Sequence, residues 1–154
     1  MWHFIVPGQP FAKQRPRVVR TNAGFSRTYT PAQTENYENL IRMAFVQEYG
    51  HPVPLTDPLE LTVVAYFQIP KSFSKKKVER AEVGLIGGAA KPDWDNIGKI
   101  VCDALNKIAF HDDAQVIEGR VIKLYSVRPR VEVTIRPWSG GAAEMEGDYE
   151  GSRT

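Results

Sequence analysis

The segment KPDWDNIGKIVCDALNKIAFHDDAQV, residues 91–116, places five aspartates in and around a helical pattern. Pro92 disfavours helical geometry in the residue before it, so the segment is expected to begin as a loop that enters a helix near Asp95. At about 100° per residue, one helical face is apolar and contains Ile97, Val101, Ala104, Leu105 and Ile108. The opposite face is polar and contains Asp95, Lys99, Asp103 and Asn106. The segment therefore predicts an amphipathic helix whose polar edge begins at an aspartate pair.

The aspartates at the two ends of this helix predict a metal site. Asp93 and Asp95 point the same way in an extended chain and repel each other unless a cation lies between them. Lys99 lies one turn beyond Asp95. After the helix, a loop at Asp112 and Asp113 can lead into a strand that runs back towards the first pair, and alternation lets one of these two reach the site. Three such carboxylates suit Mg²⁺ or Mn²⁺, whereas zinc is disfavoured without Cys or His at ligand spacing.

The same residues also have a structural explanation, which stays open at this point. In it, Asp95 is a helix N-cap and Lys99 is a surface partner of Asp95 or Asp103.

The chain of 154 residues, with 42% hydrophobic and 25% charged residues, is typical of one small globular domain. The pattern predicts strands at WHFIVP, at LELTVVAYFQI, and over about 115–127 and 130–136, with Gly119 as a bulge. It predicts an extended loop over Gly8–Tyr29, then a helix with Thr30 as N-cap, Pro31 as its first residue and Gln33 completing a capping box, ending near Gly50. We expect an α+β domain over residues 1–137, with a mixed sheet of about four strands and two to three helices.

The net charge of +2 is unevenly distributed. Residues 1–30 contain five basic groups and no acidic one, and residues 71–80 contain five basic groups against Glu79. Such segments suit a polyanionic partner, although solvated surface is the alternative. Residues 138–154 are acidic and rich in Gly, and are expected to form a disordered tail.

A cytoplasmic location is expected. No apolar run approaches the roughly 20 residues of a membrane helix, and the N-terminus lacks the pattern of a signal peptide. The single cysteine, Cys102, agrees with a reducing compartment.

The central segment resembles the motif of the RusA family of Holliday junction resolvases, D-x-D-N-x-x-K-x-x-x-D-x-L followed by D-D-x-Q-V, and fills every position. The predicted strands and capped helix follow the family's order over roughly 1–136. The resemblance implies a RusA-like homodimer that uses Mg²⁺, with Mn²⁺ as a substitute, to nick two opposing strands of four-way junction DNA. No small-molecule cofactor and no membrane partner are expected.

The resemblance also assigns the catalytic residues. Asp93, Asp95 and Asp113 are the catalytic acids and would hold the metal, which neutralises charge and activates water. Lys99 is the catalytic lysine, expected to stabilise charge on the phosphorus or to orient water.

Further residues are expected to support the site. Asp103 would orient Lys99, Asn96 would hydrogen-bond near the helix start, and Asp112 would either bind the metal through water or shape the loop. The chain departs from the family at Pro92, where a basic residue often stands, and Lys91 lies one place earlier.

Seven basic residues are predicted to contact DNA phosphates: Lys13, Arg15, Arg17, Lys75, Lys76, Lys77 and Lys91. His111 is either a base or an ordinary loop histidine. Phe73 and Trp94 could stack on an unpaired base, but neither is assigned a DNA role.

Two other classes of function stay open. One is an enzyme like the D-x-D glycosyltransferases, although these usually need a longer chain. The other is a non-catalytic DNA- or cation-binding module, in which the basic loops act and the acids are structural.

Overall fold

A computed structural model describes residues 1–12, 17–24, 26–29 and 31–140. The elements are β1 (Trp2–Pro7), β2 (Arg17–Arg20), β3 (Ser26–Tyr29), α1 (Ala32–Tyr49), β4 (Leu59–Gln68), α2 (Lys75–Glu82), α3 (Trp94–Leu105), a 3-10 turn (Asp113–Gln115), β5 (Val116–Ser126) and β6 (Arg130–Pro137). The predicted α+β class is confirmed.

Four strands form a mixed sheet in the order β1-β6-β4-β5. β6 is antiparallel to both β1 and β4, whereas β4 and β5 are parallel. Parallel neighbours need a long crossover connection, because the chain must return to the same end of the sheet. Here that connection is residues 69–115, which contain α2 and α3.

The alternating apolar residues of the sheet form the core with α1 and α3. The buried strand residues include Phe4, Val6, Leu61, Val63, Ala65, Val131, Val133 and Ile135. α1 packs against α3 and β1, and α3 packs against β5. The predicted apolar face of α3 is confirmed, because Ile97, Val101, Ala104 and Leu105 are all buried.

Phe45 connects α1 to the first strand. Its ring meets Trp2 edge-on with centroids 5.2 Å apart, and Phe4 edge-on at 5.5 Å. The side chain is fully buried. Edge-to-face pairs of this kind add to the stability gained from burial alone.

The expected loop over Gly8–Tyr29 was wrong in part, because β2 and β3 form an antiparallel hairpin. The residues between these strands include Gly24, whose φ of 81° a residue with a side chain rarely adopts. The signal was present in the sequence as a short RVVR run before a turn containing Asn22 and Gly24.

Three details at element boundaries also differ from prediction. Pro31 occupies the N-cap of α1 instead of its first helical position. The bulge in β5 falls at Ile117, because Leu59 pairs with Val116 and the next residue of β4 pairs with Glu118; Gly119 is paired regularly. α3 ends at Leu105, and Ile108 packs against the core from the following turn.

α2 was not predicted as a helix, and its residues were interpreted only as a basic segment. Ser74 caps it, since its side chain accepts a hydrogen bond from the backbone N–H of Lys77 at 3.2 Å. Ala81 is buried on its inner side, and α2 packs against β5.

Two of the predicted structural features lie outside the described residues in whole or in part. Thr30, the predicted cap of α1, is one of them. The predicted tail at 138–154 is described only for residues 138–140.

None of the helices in the described part of the chain is both long enough and apolar enough to cross a membrane.

Replacing Phe45 by Ala should lower the free energy of unfolding by about 3–5 kcal/mol, because it removes a buried ring and leaves a cavity. Urea-induced unfolding followed by circular dichroism measures this. Met43→Ala on the same helix is the control, since Met43 is 67% exposed and should change stability by less than about 0.5 kcal/mol. Equal effects of the two substitutions would contradict the packing of α1 on β1.

Candidate active site

α3 lies close to β5 and turns its polar edge outward. Gly98 permits this approach, because a Cβ atom there would lie 3.3 Å from Cγ2 of Val121. Its neighbours Ile97 and Ile100 are buried, whereas Lys99 between them is exposed. The strand that follows the D-D pair therefore runs beside the helix, as predicted.

Lys99 joins two carboxylates from different elements. Its Nζ lies 3.2 Å from Oδ1 of Asp103, one turn along α3, and 3.3 Å from Oδ2 of Asp113 in the 3-10 turn. The hydrogen bond and charge of Asp103 are the main reasons that the pKa of Lys99 is raised, and Asp113 adds to them. Lys99 is therefore a cation at neutral pH, held where the two elements meet.

The D-D pair divides into one residue that shapes the turn and one that faces Lys99. Asp112 is the N-cap of the 3-10 turn, and its carboxylate accepts a hydrogen bond from the N–H of Ala114 at 2.8 Å. This bond is the main reason that the pKa of Asp112 is lowered. Asp113 is half-buried and is the member that reaches Lys99. The expectation that only one of the two reaches the site agrees with this division.

The D-x-D pair lies at the start of α3. Asp93 occupies the N-cap position, but its side chain makes no capping hydrogen bond; its Oδ2 accepts one from Nζ of Lys91 at 2.6 Å. Asp95 lies in the first helical turn and is exposed. The alternative that Asp95 is the N-cap was therefore wrong. Lys91, a predicted DNA contact, is here the partner of Asp93.

The residue types at these positions fit a divalent metal, because carboxylate oxygens are the ligands that Mg²⁺ prefers. Within the described residues, however, no group of three or more His, Cys, Asp or Glu side chains is arranged to hold an ion. Asp93 and Asp113 are each paired with a lysine ammonium group instead. The donor chemistry thus suits the predicted ion, and the ligand set of Asp93, Asp95 and Asp113 stays a prediction.

The loop before the D-x-D pair is attached to β5. The N–H of Gly88 donates to the carbonyl of Lys123 at 3.0 Å, and Nζ of Lys123 donates to the carbonyl of Ala90 at 2.6 Å. These contacts hold the chain just before Asp93 against the sheet. Sequence reasoning did not identify Lys123, because the contact joins residues 33 positions apart.

Asn96 lies at the start of α3 and is half-buried. With Lys91 and Asp93 it lines a cavity of about 390 Å³ that reaches Phe11. His111 is exposed, and its backbone N–H donates to the carbonyl of Leu55. Neither residue is given a chemical role by these contacts.

The lysine cluster forms the first turn of α2 and is exposed. Lys76 and Lys77 line a cavity of about 440 Å³ together with Ser74, Arg80 and Ile86. Arg80 was not among the predicted DNA contacts. It follows Lys76 by four residues, so it becomes a candidate once the segment is known to be helical.

Phe73 packs within the protein beside this cluster. Its ring meets Tyr125 edge-on with centroids 5.4 Å apart, and Nζ of Lys77 lies 4.1 Å from its centroid. Trp94 is 64% exposed.

The other predicted DNA contacts cannot be placed. Lys13 and Arg15 lie outside the described residues, and Arg17 belongs to β2 without a described side chain.

Two comparisons show which known proteins this chain is similar to. A protein-family model described as Endodeoxyribonuclease RusA matches residues 7–136, from the end of β1 to β6. The chain is also similar to the uncharacterized protein YqaN of Bacillus subtilis (strain 168), with 41% identity over 135 residues, which are 86% of this chain and 94% of YqaN. The region matched by the family model includes every site residue described above.

Cys102 offers a chemical test of the charges at this site. Burial raises the pKa of its thiol to about 11, and the negative charges of Asp113 and Asp103 add to the rise. At pH 8 the folded protein should therefore contain about 100-fold less thiolate than the unfolded chain, and react with Ellman's reagent correspondingly more slowly. Labelling kinetics with and without urea measure this, and Asp113→Asn should speed the native reaction. Equally fast labelling of folded and unfolded protein would contradict the described environment.

Proposed function

Because this chain belongs to the RusA family of endodeoxyribonucleases, hydrolases that act on DNA, we propose that it is a Mg²⁺-dependent Holliday junction resolvase. In this proposal a homodimer cuts four-way junctions by paired, symmetric nicks during DNA recombination and repair in the cytoplasm. The observation that carries the proposal is the contact of Lys99 with Asp113. It brings the lysine of the D-x-D helix to the acid of the D-D turn, although 14 positions separate them.

Asp93, Asp95 and Asp113 would hold the metal in this proposal. Nucleases of this family generally depend on divalent metals. Bound Mg²⁺, or Mn²⁺ in its place, would neutralise the phosphate, activate water and support the leaving oxygen. The protein's own part is to hold these carboxylates on two elements that meet at Lys99.

Lys99 would stabilise the negative charge that develops on the phosphoryl oxygens. A preorganised cation is effective at this task, because it need not reorganise during the reaction. Asp103 keeps the ammonium group in place and raises its pKa, so Lys99 remains charged. Asp112 shapes the turn, a role that its bond to Ala114 supports.

Lys91 has one observed partner, Asp93, and one proposed partner, a DNA phosphate. Its ammonium group is paired with Asp93, and the pair must open before Lys91 can contact a DNA phosphate as predicted. Both groups are partly exposed, with side-chain exposures of 83% and 46%, so the pair is weak enough to exchange for another partner.

α2 would bind the DNA backbone. Three lysines occupy its first turn, where the positive end of the helix dipole disfavours cations. Lysines at this helix end lower the stability of the free protein, so their presence indicates that they serve a function such as binding DNA. Lys76, Lys77 and Arg80 face the same cavity, which suits a phosphate group.

Dimerisation follows from the proposed reaction. One active site cuts one strand, so two symmetric nicks across a junction require two sites related by a two-fold axis.

A non-catalytic DNA-binding module is the second candidate. The pairing of Asp93 with Lys91 favours it, because a carboxylate that is paired with a cation of the protein itself can serve a structural role. The glycosyltransferase alternative is dropped, since the family match to endodeoxyribonucleases spans most of the chain.

Wild-type protein should cut a synthetic four-way junction by paired nicks when Mg²⁺ is present, and should cut neither linear duplex nor any substrate in EDTA. Asp93→Asn should still bind the junction but lose cleavage, and Lys99→Met should slow cleavage by about 10²–10³-fold, as expected for the loss of one preorganised charge. Denaturing gels give the cleavage rates, and gel shifts give the binding.

Glu48→Gln removes an exposed acid on α1 and should leave both quantities unchanged. Wild-type cleavage by Asp93→Asn would show the metal assignment to be wrong. Tight junction binding by pure protein without metal-dependent cleavage would favour the binding module.

Lys76→Ala combined with Lys77→Ala should lower the salt dependence of junction binding. Each lost phosphate contact reduces the slope of log K against log salt by about 0.9, so the double substitution should reduce it by about two. Fluorescence anisotropy at several salt concentrations measures the slope. Arg42→Gln on α1 removes one positive charge away from α2 and should not change it; an unchanged slope in the lysine variant would contradict a role for α2 in phosphate contact.

A further inference from the structure

The side-chain amide of Gln115 binds three backbone groups. Its Oε1 accepts a hydrogen bond from the N–H of Asp112 at 2.9 Å. Its Nε2 donates to the carbonyl of Leu55 at 2.8 Å and to the carbonyl of Asp57 at 3.1 Å. One half-buried side chain therefore closes the 3-10 turn and joins it to the loop before β4.

The loop before β4 is fixed independently at Leu55. The N–H of Leu55 donates to the carbonyl of Ala109 at 2.9 Å, and its carbonyl accepts from the N–H of His111 at 3.3 Å. The carbonyl of Leu55 thus serves both His111 and Gln115. Because Gln115 ties the end of the 3-10 turn to this fixed loop, the backbone of the turn can move much less than it could without these hydrogen bonds.

Only glutamine provides these contacts at this position. Its amide offers one acceptor oxygen and two N–H donors, and all three functions are used. Glutamate keeps the acceptor but has no donor when ionised, and methionine fills the space without either. Loss of the amide removes the side-chain partner of the N–H of Asp112 and of the carbonyl of Asp57, whereas the carbonyl of Leu55 keeps the N–H of His111.

Asp113 lies between Asp112 and Gln115, the two residues whose side chains close the 3-10 turn. Asp112 caps the turn from one side through Ala114, and Gln115 closes it from the other. The turn therefore fixes the backbone position from which the Asp113 side chain reaches Lys99. We infer that Gln115 is a positioning residue for Asp113, which sets the distance between the acid of the D-D turn and Lys99. This inference rests on the catalytic role proposed for Asp113.

The test compares Gln115→Met and Gln115→Glu with Tyr49→Phe. The Tyr49 hydroxyl also makes two long-range bonds to backbone, accepting from the N–H of His3 at 2.7 Å and donating to its carbonyl at 2.9 Å. It lies between α1 and β1, outside the proposed site, so Tyr49→Phe controls for the loss of such bonds. Cleavage rate at saturation, junction affinity and amide hydrogen exchange are measured for each protein.

We expect Gln115→Met to slow cleavage at saturation by about 10–100-fold with the junction affinity within about twofold of wild type. Tyr49→Phe should change neither quantity by more than about twofold. Hydrogen exchange at the N–H of Asp112 should accelerate by roughly tenfold or more in Gln115→Met while core amides keep their protection. Gln115→Glu retains the acceptor for the N–H of Asp112, so this amide should stay protected. The variant loses both donors to the loop before β4, so it should still slow cleavage.

Two results would overturn the inference. Unchanged exchange at Asp112 in Gln115→Met would show that the amide does not hold the turn. Accelerated exchange with wild-type cleavage would show that the turn does not position Asp113. Hydrogen exchange can be measured on a protein that does not cut DNA. It therefore shows whether Gln115 holds the turn even if the proposed nuclease function is wrong. If Gln115→Met does not fold, Gln115→Glu decides, and wild-type cleavage by that variant overturns the inference.

Discussion

The parallel pairing of β4 with β5 is the constraint on which the candidate site depends. Strands that run parallel side by side cannot be joined by a tight turn, so residues 69–115 must cross from one end of the sheet to the other. The lysines of α2, the D-x-D pair, Lys99 and the D-D turn all lie on this one connection. The core holds the connection in place through the apolar face of α3, and the polar edge of the same helix faces outward with Lys99 and Asp103.

Gathering carboxylates is unfavourable, and the protein offsets the repulsion with its own cations. Lys99 lies between Asp103 and Asp113, and Lys91 pairs with Asp93. These exposed pairs contribute little stability individually. In the proposed reaction, they would hold the acidic groups in place until a metal binds, and Lys99 would then stabilise the charge on the phosphate.

Much of this arrangement could be predicted from the sequence because it follows from local periodicity. The alternation of Val131, Val133 and Ile135 identified β6, and the spacing of four between Lys99 and Asp103 placed them on one helical edge. The cap at Asp112 had a local signal that was not interpreted, because Asp112 and Gln115 have the spacing of a capping box. The contact of Gln115 with a loop 60 residues earlier could not be predicted, because it depends on how distant segments pack. The lysines of α2 were interpreted only as a basic segment. For this reason, neither the helix nor Arg80 as a candidate DNA contact was predicted.

In the proposed function, the D-x-D pair and the D-D turn hold one cation together. Iron-directed cleavage of the polypeptide tests it most directly: Fe²⁺ replaces Mg²⁺, and hydroxyl radicals generated with ascorbate and peroxide cut the backbone beside the bound ion. The account predicts cuts in both segments, around 93–95 and around 111–115, that excess Mg²⁺ suppresses and Asp113→Asn abolishes. Cuts confined to one segment, or spread without preference along the chain, would contradict it.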